Sequence, residues 1–462
     1  MIPLTLEEIA LAVGGTPHGA AAPGPTVTGP AVIDSREVTE GTLFAAIVGE
    51  RSDGHDHAPG AYEAGAAAVL GSRAVDGPCV VVDDVVEALT TLARHVRDRL
   101  DAVVIGLTGS VGKTTTKDLI AQILEREGPT VATARSYNNE IGLPVTVLRA
   151  DAGTRYLLLE MGAGNPGDIT HLAQVARPRL GLVLRVASAH MLTLGSIEGV
   201  AKAKSELVRE LPPAAEGGVA LLNADDDRVA AMAAVTEAEV VFHGLGASAA
   251  VRATDVTTGP MGHASFTLHT PSGQARVELR LPGAHQVGNA LAAANVANAL
   301  GIPADRIADA LGAAEPRSPN RFQVTERADG VTVIDDAYNA NPVSMRAALR
   351  TAASIADGRR LIAVLGEMTG QHDTADKHAA IGALVAEIGI GDLVVVGAGT
   401  GPNALAVAAR DAGVFVHAVP DRAAAIERAG HLLRSSDLVL VKASSEIGLS
   451  KVAAALKEAP AA

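Results

Sequence analysis

The segment TGSVGKTTT, residues 108–116, has the residue types and spacing that most clearly indicate chemistry. It follows an apolar run and opens a helical pattern, a junction where exposed backbone N–H groups and the helix dipole attract anions. Lys113 can reach terminal phosphates, and Thr114 can ligate Mg²⁺. The loop is the short form G-x-x-G-K-T that starts at Gly109, because Leu107 occupies the usual first glycine position. The sequence therefore predicts a nucleotide-phosphate site and leaves a kinase, a GTPase and a ligase all possible.

Two further segments carry side chains suited to a cation beside this loop. LLLEMGAG (157–164) ends an apolar run with Glu160, and a carboxylate at the carboxyl edge of a parallel strand is well placed for Mg²⁺. VASAHMLTLGSIEGVAKAKSELV (186–208) places His190 after a strand and Lys204 on the following helix. Taken alone, Glu160 is about equally well explained as a hydrogen-bonded residue at a strand end, whereas a structural or solvated role is the better explanation for His190 and Lys204.

Other polar segments are weaker indications of a site. In SYNNEIGLP (136–144), Asn138 and Asn139 predict a turn whose amide groups are free to bind a ligand. DGHDH (53–57) is interpreted as a polar loop, because its nearly consecutive side chains lack the helical or hairpin frame of a metal site.

The elements that must position these residues follow from hydrophobic periodicity. From residue 101, continuous apolar strands alternate with helices, which predicts a parallel sheet covered on both faces. Residues 250–282 alternate as in an antiparallel hairpin, and 14–30 are interpreted as turns because Gly and Pro interrupt them. After the proline-containing stretch 314–321, a second and smaller pattern of alternating strands and helices begins.

The predicted fold class is therefore α/β with three domains. Residues 1–100 should form a small mixed α/β domain. Residues 101–317 should form a central phosphate-loop ATPase domain with a mostly parallel sheet. Residues 318–462 should form a Rossmann-like domain.

Composition excludes several function classes. The 462 residues are 48% hydrophobic and only 19% charged, unlike a disordered chain. A net charge of −14 and 2% aromatic residues argue against a general nucleic-acid binder. Cys79 is the only cysteine, so neither an internal disulfide nor a Cys-rich zinc site is possible. The start lacks a basic leader and no apolar run reaches membrane-spanning length, so we expect a cytoplasmic protein without a membrane span.

Seven segments occur in an order that resembles the Mur ligases, the ATP-dependent amino-acid-adding enzymes of bacterial peptidoglycan synthesis. They are TGSVGKTTT, YNNEIGLPVTVL, LEMGAGNPGDI, AHMLTLGSIEGVAKAKSEL, NRFQV, IDDAYNANPVSMRAAL and VKASSEIGLSKV, and the resemblance covers nearly the whole chain. IDDAYNANPVSM is similar to the segment of the members that add D-Ala-D-Ala to UDP-N-acetylmuramoyl-tripeptide. The resemblance implies that reaction, through an acyl phosphate, with the UDP-pentapeptide, ADP and phosphate as products. It also implies that the domain of residues 1–100 binds the UDP-linked substrate, that 101–317 binds ATP, and that 318–462 closes over ATP and binds the incoming dipeptide.

The resemblance also implies roles for individual residues. Catalysis would depend on Lys113, Glu160, His190 and Lys204, and two Mg²⁺ ions would bind Thr114, Glu160, His190 and a carbamylated Lys204. ATP would contact Gly109, Ser110, Val111, Gly112, Lys113, Thr114, Thr115, Asn289, Arg321, Asp335, Tyr338 and Asn341. Among these, Asp335 would bind the ribose, while Tyr338 and Asn341 would lie near the adenine. Ser35 and Arg36 would bind the uridine nucleotide, with Asn138 and Asn139 also at the substrate, and the expected assembly is a monomer.

Three positions depart from the family pattern: Arg185, Thr369-Gly370 and Ala443. The second lies in the segment expected to shape the dipeptide pocket. Two other functions are kept as alternatives. One is another amino-acid ligase, of the Mur or the folate-polyglutamating type, and the other is a phosphate-loop regulatory ATPase that makes no amide bond.

Overall fold

The computed structural model describes residues 1–21, 23–188 and 191–458. Three large sheets follow one another along the chain, and each lies inside one of the predicted segments. This arrangement confirms the α/β fold class, whereas the domain boundaries themselves stay a prediction. In the described part of the chain, no helix is long and apolar enough to cross a membrane.

The N-terminal domain is built on a five-stranded sheet of order β2-β7-β6-β5-β4 and a two-stranded sheet of β1 and β3. The interpretation of 14–30 as turns is wrong in part, because β2 and β3 lie there. Pro17 lies in β2 at the sheet edge, where a residue without an N–H is tolerated. The elements are β1 Leu4–Thr5, α1 Leu6–Val13, β2 Thr16–His18, β3 Thr26–Val27, β4 Ala31–Val32, β5 Leu43–Ala46, α2 Ala58–Glu63, β6 Ala68–Gly71, β7 Cys79–Val81 and α3 Val85–Arg97.

The central domain contains a nine-stranded sheet of order β16-β15-β14-β13-β12-β11-β8-β10-β9. The strands from β9 to β14 pair in parallel, and β15 and β16 extend the sheet as the predicted antiparallel hairpin. The strands are β8 Val103–Thr108, β9 Thr130–Ala132, β10 Tyr156–Glu160, β11 Leu180–Val183, β12 Val219–Asn223, β13 Glu239–Gly244, β14 Val251–Thr258, β15 His263–Thr270 and β16 Gly273–Pro282. The helices are α4 Lys113–Leu124, α5 Gly142–Val147, α6 Asp168–Ala176, α7 Met191–Leu194, α8 Ile197–Arg209, α9 Asp227–Ala230, α10 Gln286–Ala299 and α11 Ala304–Ala313.

The C-terminal domain contains a six-stranded sheet of order β17-β18-β22-β19-β20-β21, parallel except for β17. The four inner strands β18, β22, β19 and β20 are largely buried and rich in Val, Ile and Leu, as expected for a sheet covered by helices on both faces. The elements are β17 Gln323–Glu326, β18 Thr332–Asp335, α12 Pro342–Ala356, β19 Leu361–Leu365, α13 Thr374–Glu387, β20 Asp392–Val396, α14 Thr400–Asp411, β21 Phe415–Val419, α15 Arg422–Leu432, β22 Leu438–Lys442 and α16 Ser450–Glu458.

Candidate active site

A cavity of about 720 Å³ lies between the central and C-terminal domains. We call it the first cavity. Its central-domain wall contains residues of the phosphate loop, Glu160 and Lys204, and its C-terminal-domain wall contains the segment 369–371. The carboxyl ends of β8 and β10 meet at this edge of the sheet, which explains why residues distant in sequence converge there.

The phosphate loop connects β8 to α4 with the geometry that an anion site needs. Gly112 caps the N-terminus of α4 at φ 84°, and a Cβ there would lie 2.6 Å from Asn289 Oδ1, so this position excludes a side chain. The ammonium of Lys113 donates to the Gly109 carbonyl at 2.9 Å. Ser110 Oγ is buried without a hydrogen-bond partner among the described residues. A phosphate in the loop would satisfy that hydroxyl, so the residues fit a nucleotide phosphate.

Glu160, at the end of β10, is a buried carboxylate beside the loop. Thr114 donates its hydroxyl to Oε2 at 3.3 Å, and the amide of Asn138 donates to Oε1 at 2.8 Å. Asn139 also lines the cavity, but its amide oxygen accepts from the Gly142 N–H at 3.0 Å. A carboxylate and a hydroxyl side by side are hard oxygen donors of the kind that Mg²⁺ prefers.

Lys204 projects from α8 into the first cavity and is only 3% exposed. Burial lowers the pKa of its ammonium to about 7, and the positive charge of Lys113 adds to this effect. Glu160 and Asp168 act in the opposite direction. Near neutral pH a large fraction of this amine is therefore unprotonated and nucleophilic.

Arg321 lies in the stretch that joins the central and C-terminal domains, and its positively charged side chain contacts the phosphate loop. Its Nη2 donates to Thr114 Oγ1 at 2.9 Å, and its guanidinium lies 3.7 Å from the ring centroid of Tyr338. Its Nε is buried without a partner among the described residues. The flanking Asn320 and Phe322 have φ of 58° and 53°, a region that bulky residues rarely adopt. The backbone is thus bent so that Arg321 faces the phosphate loop.

A second cavity of about 380 Å³ begins at the same loop and runs along the ends of β12 and β13. Its walls include Asn289, Asp336 and Asn341, together with Arg185, whose carbonyl accepts from the Ser110 N–H at 2.8 Å. Asn341 also caps α12 by accepting from the Ser344 N–H at 2.9 Å. The size and the position next to the loop suit a nucleoside.

Two of the predicted nucleotide-binding residues lie away from the second cavity, and their roles stay predictions. Asp335 lines neither cavity; it is buried against the ammonium of Lys457 at 3.0 Å and the amide of Asn320. Its neighbour Asp336 lines the second cavity, because successive side chains at a strand end point to opposite sides. Tyr338 lines the first cavity and not the second.

The other expected residues lie apart or beyond the described chain. Ser35 and Arg36 form a short 3₁₀ turn in the N-terminal domain, and neither lines the two cavities. Arg36 is exposed and pairs with Asp34 at 2.6 Å. His190 lies outside the described residues. Within residues 1–21, 23–188 and 191–458, no group of three His, Cys, Asp or Glu side chains could hold a metal ion.

Sequence reasoning missed several residues of the site. His243 and Lys442 line the second cavity, and Lys442 pairs with Asp336 at 2.7 Å. Ser445 and Glu446 line the first cavity. A single His or Lys at a strand end carries no distinctive pattern, whereas the adjacent pair Asp335-Asp336 was a signal that one of the two carboxylates faces a ligand.

Comparison with known proteins gives consistent matches along the chain. Models described as the Mur ligase family catalytic domain, the Mur ligase middle domain and the Mur ligase glutamate ligase domain match residues 31–98, 107–297 and 320–445. A UDP-N-acetylmuramoyl-tripeptide--D-alanyl-D-alanine ligase of Mycobacterium leprae is 42% identical over 98% of each chain. The crystal structure of MurF from Acinetobacter baumannii covers 99% of both chains at 30% identity, with a TM-score of 0.85. MurF ligase from Thermotoga maritima, solved in complex with ADP, covers 94% of this chain and 98% of its own at 26% identity, with a TM-score of 0.78.

Proposed function

The chain belongs to the Mur ligase family, and we propose that it adds D-alanyl-D-alanine to UDP-N-acetylmuramoyl-tripeptide. It is an ATP-dependent peptide ligase of peptidoglycan precursor synthesis. The observation that carries the proposal is full-length similarity to ligases of that name, combined with a cavity where the phosphate loop, Glu160, Lys204 and Arg321 converge. No feature of the site favours the folate-polyglutamating or the regulatory alternative.

The reaction needs an activated carboxylate, because a free carboxylate is a poor acylating agent. The terminal carboxylate of the tripeptide attacks the γ-phosphoryl group of ATP, which forms a C–O–P bond and releases ADP. The amine of D-Ala-D-Ala then attacks the acyl carbon, a C–N bond forms, and phosphate leaves with loss of the ammonium proton to solvent. Water would hydrolyse the acyl phosphate, so closure of the C-terminal domain over the site protects it.

The chain's own cations bind and orient the phosphates. Lys113 exchanges its contact with the Gly109 carbonyl for the terminal phosphates, and Ser110 donates its unpaired hydroxyl. Arg321 places its unpaired Nε beside the same loop, next to its contact with Thr114. Fixed donors of this kind stabilise charge that develops on the γ-phosphoryl oxygens without having to reorganise during the reaction.

Thr114 and Glu160 fit Mg²⁺, with Asn138 holding Glu160 in place. When bound, Mg²⁺ supplies positive charge to the phosphoryl oxygens and orients them. His190 and a carbamylated Lys204 would complete the sites for the two ions that the family resemblance implies.

Carbamylation of Lys204 is supported by its burial and by its pKa of about 7. In that step the unprotonated amine forms an N–C bond to CO₂ and loses one proton, which converts a cationic side chain into an anionic oxygen ligand. The product would relieve the repulsion that Lys204 exerts on Lys113. The carbamylated Lys204 side chain would then attract cations, whereas the unmodified ammonium repels them.

Lys204→Ala should abolish most activity, and small carboxylates such as acetate or formate should restore part of it. Rescue is expected because a carboxylate can occupy the place of the carbamate oxygens. Lys202→Ala, at an exposed position on the same helix, is the matched control and should keep normal turnover. Full activity of Lys204→Ala would show that the carbamate assignment is wrong.

The dipeptide is expected to enter between the phosphate loop and the C-terminal-domain wall of the first cavity. Thr369 is fixed there by two hydrogen bonds, from its N–H to Ser444 Oγ at 2.9 Å and from its hydroxyl to Glu446 at 3.2 Å. Gln371 donates to the Ser188 carbonyl of the central domain at 3.4 Å. The segment 369–371 therefore connects the dipeptide side of the cavity to the central domain.

The uridine end of the substrate belongs to the N-terminal domain. Glu37, next to the expected uridine-binding residues, pairs with Arg135 at 3.2 Å and with Arg149 at 3.4 Å in the central domain. Arg135 directly precedes the cavity-lining residues Ser136 and Asn138. We infer from this link that a substrate bound near Ser35 and Arg36 would extend toward the first cavity.

A ligase assay with each substrate omitted in turn tests the proposal. ADP and phosphate should appear at a high rate only when ATP, UDP-tripeptide and D-Ala-D-Ala are all present. If ADP and phosphate are released at the same rate without UDP-tripeptide and D-Ala-D-Ala, the regulatory ATPase is favoured. Activity with glutamate on a folate acceptor would favour the other ligase type. The expected monomer, the absence of nucleic-acid binding and the cytoplasmic location stay predictions.

A further inference from the structure

His243 lies at the end of the second cavity that is remote from the phosphate loop. It is the last residue but one of β13, and β13 is three strands from β8, a separation of about 14 Å. The side chain is only 2% exposed, yet it forms part of the cavity wall beside Leu245 and Val287. The carboxylate of Asp225 also lies at this end, where it accepts from the Leu245 N–H at 3.0 Å, so His243 borders a mixed polar and apolar part of the nucleotide site.

The hydrogen bonds of Asn295 determine which nitrogen of His243 carries the proton. The Asn295 amide nitrogen donates to the Val241 carbonyl at 2.9 Å and lies 3.2 Å from His243 Nδ1. The reverse amide orientation would set an amide oxygen against the Val241 carbonyl, so it is excluded. Nδ1 is therefore an acceptor, and the neutral ring must carry its proton on Nε2.

The Nε2–H of His243 has no partner among the residues that the structure describes. Burial lowers the pKa of the imidazole to about 3, so the ring is neutral at physiological pH. A neutral ring with a fixed tautomer offers one donor and no acceptor toward the cavity. His243 lines the second cavity, so a ligand atom there can accept this hydrogen bond.

We propose that His243 recognises the base of ATP by donating a hydrogen bond from Nε2 to an unprotonated purine ring nitrogen. The inference rests on the proposed function, because it needs the base of ATP in the second cavity. Adenine presents only acceptors at its ring nitrogens N1, N3 and N7, which suits the single donor that His243 offers. Asn295 is a positioning residue in this arrangement, since it fixes the tautomer of His243.

A double-mutant cycle with ADP analogues tests the proposal by calorimetry on the full chain. The analogues are 1-deaza-, 3-deaza- and 7-deaza-ADP, in each of which one ring nitrogen becomes C–H. The unmodified protein should bind one of the three about tenfold more weakly than ADP, and the His243→Phe variant should bind ADP itself about tenfold more weakly. The two losses should not add, because both remove the same hydrogen bond.

His263→Phe, at an exposed position of β15, is the matched control and should bind ADP normally. The proposal is overturned if the two losses are additive, or if His243→Phe binds ADP as tightly as the unmodified protein. It is also overturned if none of the analogues binds more weakly to the unmodified protein, a measurement that does not depend on the variant folding. ADP binding with the expected cycle but without ligation would contradict the ligase assignment and leave the role of His243 intact.

Discussion

The ring of Tyr338 should determine how well Arg321 contacts the phosphates, and replacing it tests the arrangement directly. The guanidinium lies 3.7 Å from the ring centroid, well within the range of a cation–π interaction. Such contacts contribute about 0.5–1 kcal/mol at exposed positions and ~2 kcal/mol when desolvated. Both side chains line the inter-domain cavity and are partly buried, so we expect ~1–2 kcal/mol from this pair.

Tyr338→Leu should therefore lower kcat/KM for ATP by about 5–30-fold, because ~1.4 kcal/mol corresponds to a factor of ten. Tyr338→Phe keeps the ring and is the matched control, expected within about twofold of the unmodified enzyme. Burial raises the pKa of the Tyr338 hydroxyl, so it stays protonated at assay pH and its removal changes no charge. The measurement is the steady-state ligase assay with ATP varied and both other substrates saturating.

Two results would refute this reasoning. If Tyr338→Leu leaves kcat/KM for ATP within twofold, the contact does not position Arg321. If Tyr338→Phe is as impaired as Tyr338→Leu, the hydroxyl is the important group and the ring face is not. A thermal-unfolding midpoint close to that of the unmodified protein is needed for either variant, so that loss of fold is excluded.

Three further perturbations have defined outcomes. Glu160→Gln should lower kcat by ~10²–10³-fold and raise the Mg²⁺ concentration that gives the half-maximal rate. A Mg²⁺ titration of the ligase assay measures both effects. An unchanged Mg²⁺ dependence would show that Glu160 is not a metal ligand. Asp335→Asn should lower the unfolding midpoint because it breaks the ion pair with Lys457, while KM for ATP stays within about twofold. A large rise in KM would instead indicate that Asp335 binds the ribose. The unfolding free energy of His243→Phe minus that of the unmodified protein should increase by ~2 kcal/mol as the pH falls from 7.5 to 5. Denaturant titration at each pH measures this difference. The reason is that His243 takes up a proton below pH 6.5 when unfolded, whereas its folded pKa is about 3; a constant difference would contradict this.

The elements that the sequence predicted well are long and strongly periodic. The parallel strands around β8 and the hairpin of β15 and β16 are buried or regularly alternating, so their patterns identify them. β2 and β3 were missed because they are two or three residues long and mostly exposed, with a proline in one of them. Such strands exist only because a neighbour pairs with them, and that information is not local.

In the candidate site, too, some features follow from local sequence patterns and others depend on tertiary structure. The convergence of the phosphate loop and Glu160 follows from a general rule, since the carboxyl ends of adjacent parallel strands share one edge. The choice between Asp335 and Asp336 depends on which side of β18 the nucleotide occupies, and only tertiary structure sets this. The contact between Tyr338 and Arg321 could not be predicted either, because it depends on a backbone bend for which the sequence has no distinctive pattern.

The position of Arg321 within the inter-domain connection limits how far this enzyme can be divided into parts. An isolated central domain that ended before residue 320 would keep the phosphate loop, yet it would lose the cation that contacts Thr114. A longer fragment would retain Arg321 but lose the Asp335 and Asp336 contacts that hold Asn320 and Phe322 in their unusual conformations. We therefore expect efficient ATP turnover to need both domains joined in one chain.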